Sequence, residues 1–91
     1  MEQVGSDMIV RMWVAHVAPG RTEDALAWVR RDLVPRLLLT EGCMSTEILR
    51  GTGNPVRVVV TSRWDSPPRF EEGVPDDGVL TSARAYHFET V

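Results

Sequence analysis

The sequence predicts a small α+β domain: a four-stranded antiparallel sheet with helices on one of its faces. Three observations predict it. Four β-prone runs are interrupted by one long and one short helical stretch, and the first run is apolar on both of its faces. The third is length, since 91 residues suffice for one domain and no second. Residues 1–7 read as a leader and residues 8–91 as the single domain.

Met8 to Val17, Met-Ile-Val-Arg-Met-Trp-Val-Ala-His-Val, is dense in strand formers. Pleating puts Met8, Val10, Met12, Val14 and His16 on one face and Ile9, Arg11, Trp13, Ala15 and Val17 on the other. A strand covered on one side only alternates more sharply, so both faces of this sheet are expected to be covered.

Pro19-Gly20 stops the strand. Thr22 is the expected N-cap of a helix, with Glu23 and Asp24 where the helix dipole favours negative charge. Leu26, Val29, Leu33 and Leu37 recur at helical spacing and form its buried stripe, while Asp32 and Arg36 make a surface pair. Pro35 lacks the amide that would bond Arg31, which predicts a kink or a fresh turn, and Gly42 is the expected left-handed cap.

Met44 to Arg50 reads as the second strand, residues 51–55 as a turn, and Val56 to Trp64 as the third strand. Asp65 or Ser66 is expected to cap a short helix from Pro67 to Gly73, followed by a turn over 75–78 and a fourth strand from Arg84 to Val91. Strand, helix, strand, strand, helix, strand is the split βαβ or ferredoxin-like order. Its helices cover one sheet face. The other face is apolar and a liability in water, which two copies remove by packing sheet on sheet as a homodimer.

Composition narrows the partners. Net charge is −3, and no basic run exceeds Arg30-Arg31, so nothing answers a phosphate backbone and nucleic acid is not an expected partner. The apolar runs are far shorter than a membrane span, and the first seven residues lack the features of a secretory signal. With one cysteine, Cys43, there is no internal disulfide framework, and the expected location is the cytoplasm.

Met8-Ile9-Val10-Arg11-Met12-Trp13, Pro19-Gly20, Thr61-Ser62-Arg63-Trp64-Asp65-Ser66 and Tyr86-His87-Phe88-Glu89, in this order, resemble the antibiotic-biosynthesis monooxygenase family over nearly the whole chain. The resemblance implies a dimeric α+β barrel with a pocket between sheet and helices in each subunit. It also implies oxidation of polycyclic aromatic substrates without metal or flavin, degradation of haem, or no assigned activity. Val60 stands four residues before Trp64, where oxygenases of the family commonly carry an asparagine. The first strand lacks the asparagine, and the stretch after Trp64 the histidine, of the haem-degrading members.

Four residues are site candidates. Trp64 is either a partly accessible face for an aromatic ligand or a core residue. His87 is either a general base or a strand histidine satisfied by a neighbour. Arg11, on an apolar strand, is either an ion pair, with Glu47 or Glu89 as partner, or an anchor for an anionic substrate. Trp13 shares its face and is either a wall of a binding site or a cation–π partner of Arg11. His16 reads as solvent-facing and Cys43 as a small buried thiol. No ligand spacing suggests a metal, and no cofactor is expected. Two functions stand: a cofactor-independent monooxygenase acting on an aromatic or polyketide-like small molecule, or a non-catalytic homodimer that binds a small hydrophobic ligand or assists another enzyme.

Overall fold

In the computed structural model, which describes residues 8–91, the first apolar run forms β1, Ile9–Val17. The expected leader, 1–7, lies outside the described residues. Arg11, Trp13, Ala15 and Val17 are buried, while Val10, Met12, Val14 and His16 alternate with them at intermediate exposure. The pleat of one strand thus separates a covered face from an open one.

Three consecutive helical pieces follow: α1 (Thr22–Trp28), a π-helical turn (Val29–Leu33) and α2 (Val34–Leu38). Leu26, Val29, Leu33 and Leu37 form the predicted buried stripe. Pro35 explains the middle piece. The Val34 N–H donates to the Val29 carbonyl five residues back, so the ladder widens just before a residue with no N–H to give. The start differs from expectation, because Arg21 and not Thr22 occupies the cap position. No side chain caps there, and Arg21 Nε instead donates to Asp24 Oδ2 at 2.7 Å. At the other end the Thr40 hydroxyl donates to the Arg36 carbonyl, and Gly42, with φ at +94°, turns the chain into the next strand.

Strands β2 (Cys43–Arg50), β3 (Arg57–Trp64) and β4 (Leu80–Glu89) complete the sheet. Its order is β2-β3-β1-β4, with every neighbouring pair antiparallel, which is the ferredoxin-like arrangement. The fourth strand begins four residues earlier than the sequence suggested, because pairing with β1 continues past an irregularity at His16/Val17 to join Val17 to Leu80.

The short helix expected over 67–73 does not form. Pro68 disfavours helical geometry at Pro67, and Gly73 adopts φ of +71°. Residues 65–79 instead lie as an irregular segment, with Glu72 and Val79 buried. Helix and segment cover the same sheet face, where Trp13, Ala15, Val58, Val60 and Trp64 meet the helical stripe. The opposite face carries four rows: Arg57, His16 and Ser82; Leu49, Val59, Val14 and Arg84; Glu47, Thr61, Met12 and Tyr86; Ser45, Arg63, Val10 and Phe88. Leu49, Tyr86 and Phe88 are among the exposed large hydrophobic residues. Among the described residues, no helix is long and apolar enough to cross a membrane.

Candidate functional site

Arg11 reaches the covered face because it lies two residues before Trp13 on β1, and only 8% of it is exposed. A guanidinium there must be answered by an acceptor. Glu72 answers it through a two-point fork: Nε donates to Oε2 and Nη2 to Oε1, each at 2.7 Å. Nη2 also donates to the Phe70 carbonyl at 3.1 Å. Nη1 meets His87 Nε2 from β4, directly opposite Arg11 in the register. A guanidinium has no acceptor atom, so in this contact Nη1 is the donor and Nε2 the acceptor.

The partner therefore differs from both expected carboxylates. Glu47 is paired with Thr61, in the row of Met12, and so belongs to the open face. Glu89 stands opposite Ile9, at the exposed end of β4. The irregular segment supplies what the strands do not.

A second guanidinium fastens the same segment. Arg36 Nη2 donates to the Glu72 carbonyl at 2.6 Å and to Asp32 Oδ2 at 2.9 Å, and Nη1 donates to the Glu71 carbonyl at 3.4 Å. Its carbon lies 5.4 Å from the centroid of the Phe70 ring, a cation–π contact. The Asp32–Arg36 pair was legible from its four-residue spacing, whereas Glu72 and Phe70 carried no signal beyond their residue types.

The two candidate tryptophans are packed. Trp13 is buried beside Trp28, with ring centroids 6.0 Å apart and planes tilted by 42°. Trp64 has no exposed surface, and its indole N–H donates to the buried Ser62 hydroxyl at 2.8 Å. The partial exposure expected of a pocket wall is absent at Trp64. His87 is the exposed member of the group, on an edge strand. His16 lies on the open face against Ser82 Oγ at 2.9 Å. Cys43 is half-buried, and that burial pushes its thiol above the ordinary thiol range.

Four surface hollows among the described residues lie elsewhere. Two lie on the open face, one beside Val10, Glu47 and Arg63 and one beside Val14, His16 and Tyr86. Two more border the irregular segment, near Pro75 and near Pro67. Arg11, Trp13, Trp64 and His87 line none of the four. Among the described residues, no group of three or more His, Cys, Asp or Glu side chains is placed to hold a metal ion.

The sequence profile of the antibiotic biosynthesis monooxygenase family matches residues 8–72, a stretch that includes Arg11, Trp13, Trp64 and Glu72 and stops short of β4. No curated protein matches the chain. Among solved structures it is similar to a candidate antibiotic biosynthesis monooxygenase from Bordetella bronchiseptica, at 19% identity and a TM-score of 0.70 over 93% of this chain and 98% of that one. It is similar also to a protein from Shewanella oneidensis, at 19% identity and a TM-score of 0.69 over 93% and 92% of the two chains. A Bacillus cereus protein, likewise a candidate monooxygenase of this kind, aligns at 15% identity and a TM-score of 0.64, covering 91% of each chain.

Proposed function

The chain belongs to the antibiotic biosynthesis monooxygenase family, and from that premise we propose that it is a homodimer that oxygenates a small aromatic or polyketide-like molecule without a metal or flavin. The observation that carries this reading is the Arg11–His87 contact on the covered face. It joins a fixed positive charge to a group able to move a proton, beside the free edge of the sheet.

In such a reaction the substrate supplies all the electrons. An activated methylene loses a proton to His87 once Nε2 leaves Arg11, and Arg11 holds the resulting anion. The carbanion passes electrons to dioxygen and a C–O bond forms. Loss of water from the peroxide leaves a carbonyl, with one oxygen atom in the product and the other in water. Trp13, Val60 and Trp64 keep bulk water from that side of the cluster, since all three are buried.

Oxygen uptake with anthrone, an aromatic ketone with an acidic methylene, tests the reading. The protein is expected to consume dioxygen above the buffer rate, and His87→Ala is expected to lose that activity while keeping its fold. Wild-type uptake at the buffer rate would end the enzymatic reading. A second reading is a non-catalytic ligand-binding or accessory homodimer, and its accessory form is favoured by one observation: the space beneath the helix is filled by Trp13, Val60 and Trp64. Binding of a hydrophobic aromatic without oxygen uptake would select it.

A further inference from the structure

We propose that residues 66–78 form a strap over an anion seat at Arg11, that Glu72 is the seat's built-in occupant, and that an aromatic carboxylate takes its place when the strap lifts. This rests on the reading of Arg11 as an anion-holding residue and adds to it the closing device and the class of ligand.

The strap is held by side chains. Among the described residues, the backbone hydrogen bonds that fix this stretch flank it: Asp65 N–H to the Gly42 carbonyl at 3.0 Å and Ala18 N–H to the Val79 carbonyl at 2.8 Å. Between them three guanidiniums do the fastening, with Arg21 Nη2 donating to Asp77 Oδ2 at 3.1 Å near the far end. Arg11 grips the Glu72 carboxylate and the Phe70 carbonyl from below, and Arg36 takes the carbonyls of Glu71 and Glu72 from the helix. Glu72 leaves Arg11 when an incoming anion takes its place on the guanidinium.

The chemistry of the occupant follows from what it displaces. A guanidinium fork selects a planar two-oxygen anion. Phe70, two residues before Glu72, packs against the core under Arg36, so the strap is anchored by one ring and one carboxylate two residues apart. An aromatic carboxylate carries the same two groups in one molecule. His87, exposed and touching Nη1, marks the side on which the seat adjoins solvent.

Benzoate is the probe, titrated into wild type, Glu72→Gln and Arg36→Gln and followed by tryptophan fluorescence and amide hydrogen exchange. Glu72→Gln removes the competing charge, and Arg36→Gln loosens the strap at a partly exposed position away from the seat. Benzoate is expected to bind about tenfold tighter to Glu72→Gln than to wild type, as removal of an internal competitor predicts, and more tightly to Arg36→Gln as well. In wild type, benzoate is expected to speed exchange in the strap while the sheet amides stay protected. Equal or weaker binding in both variants, or strap amides that open only together with the sheet, would overturn the proposal and leave Glu72–Arg11 a structural ion pair. Should Glu72→Gln fail to fold, Arg36→Gln decides alone. Strap opening without oxygen uptake sinks the oxygenase reading and leaves the strap standing. Uptake with both variants binding like wild type does the reverse.

Discussion

A charged side chain under a helical layer is stable only while its charge is answered, and at Arg11 the answer is one carboxylate from an irregular segment. Arg11→Met strands Glu72 in a site where it is 7% exposed, and is expected to cost about 3–5 kcal/mol in denaturant unfolding. Arg11→Met with Glu72→Leu should recover much of that loss, because no lone charge remains. Trp64 offers a sharper test of role. Truncating a large, fully buried side chain costs about 3–5 kcal/mol, so Trp64→Ala is expected to unfold or nearly unfold so thin a domain in a thermal melt. A melting point near that of wild type would return Trp64 to the pocket wall. Cys43 titrates in the opposite sense to a reactive thiol: burial favours the neutral form in the folded chain. Its alkylation at neutral pH should therefore be slower than in the denatured chain and rise only at alkaline pH. The same sign makes its contribution to stability full below the unfolded-state pKa and lost as pH rises through the folded one. At this scale the sequence revealed which residues must be answered, since an arginine between Val10 and Met12 on a strand demands a partner. It could not reveal the partner, because Glu72 is sixty-one residues away and belongs to no periodic pattern.

Elements with a period were legible and the one without a period was not. β1, the stripe on α1 and α2, β2 and β3 all follow from alternation or helical spacing, and their ends fall within a residue or two of the expected positions. The segment over 67–73 had a cap candidate and a terminating glycine but no apolar stripe to bury. Its carbonyls are taken by Arg11 and Arg36 instead of by a helical ladder. Gly42 joins that segment to the end of the helical layer. It sits at positive φ, and its carbonyl accepts from Asp65. A β-carbon placed there would approach Ser66 Oγ to 2.5 Å. Gly42→Ala is accordingly expected to destabilise by more than about 1 kcal/mol in urea unfolding, since strain in φ adds to the displacement of Ser66. An unchanged midpoint would show that the approach of 65–66 to 42 is easily relaxed.

At the scale of the whole molecule, one helical layer on one sheet face leaves seven apolar residues spread over the four strands of the other: Val10, Met12, Val14, Leu49, Val59, Tyr86 and Phe88. Charge is confined to Glu47, Arg57, Arg63 and Arg84, with Arg84 on an edge strand. The proposed homodimer puts this face against its own copy, adding a sheet-on-sheet core to a chain whose own core is thin. A stable interface needs about 800 Å² from each partner, which a four-stranded face of eight- to ten-residue strands can supply. Sedimentation at micromolar concentration is expected to give about twice the 10.2 kDa chain mass, with a melting temperature that rises with concentration. Phe88→Asp probes the face directly, because the side chain is half exposed in the protomer and contributes little to its core. Two-fold symmetry doubles the effect by placing two aspartates in one interface. The variant should therefore sediment near the chain mass while its far-ultraviolet circular dichroism stays that of an α+β protein. A wild-type chain that sediments as a monomer would remove the homodimer and leave the apolar face without its proposed cover. A Phe88→Asp variant that stays dimeric would place the interface away from the β1–β4 side of the sheet.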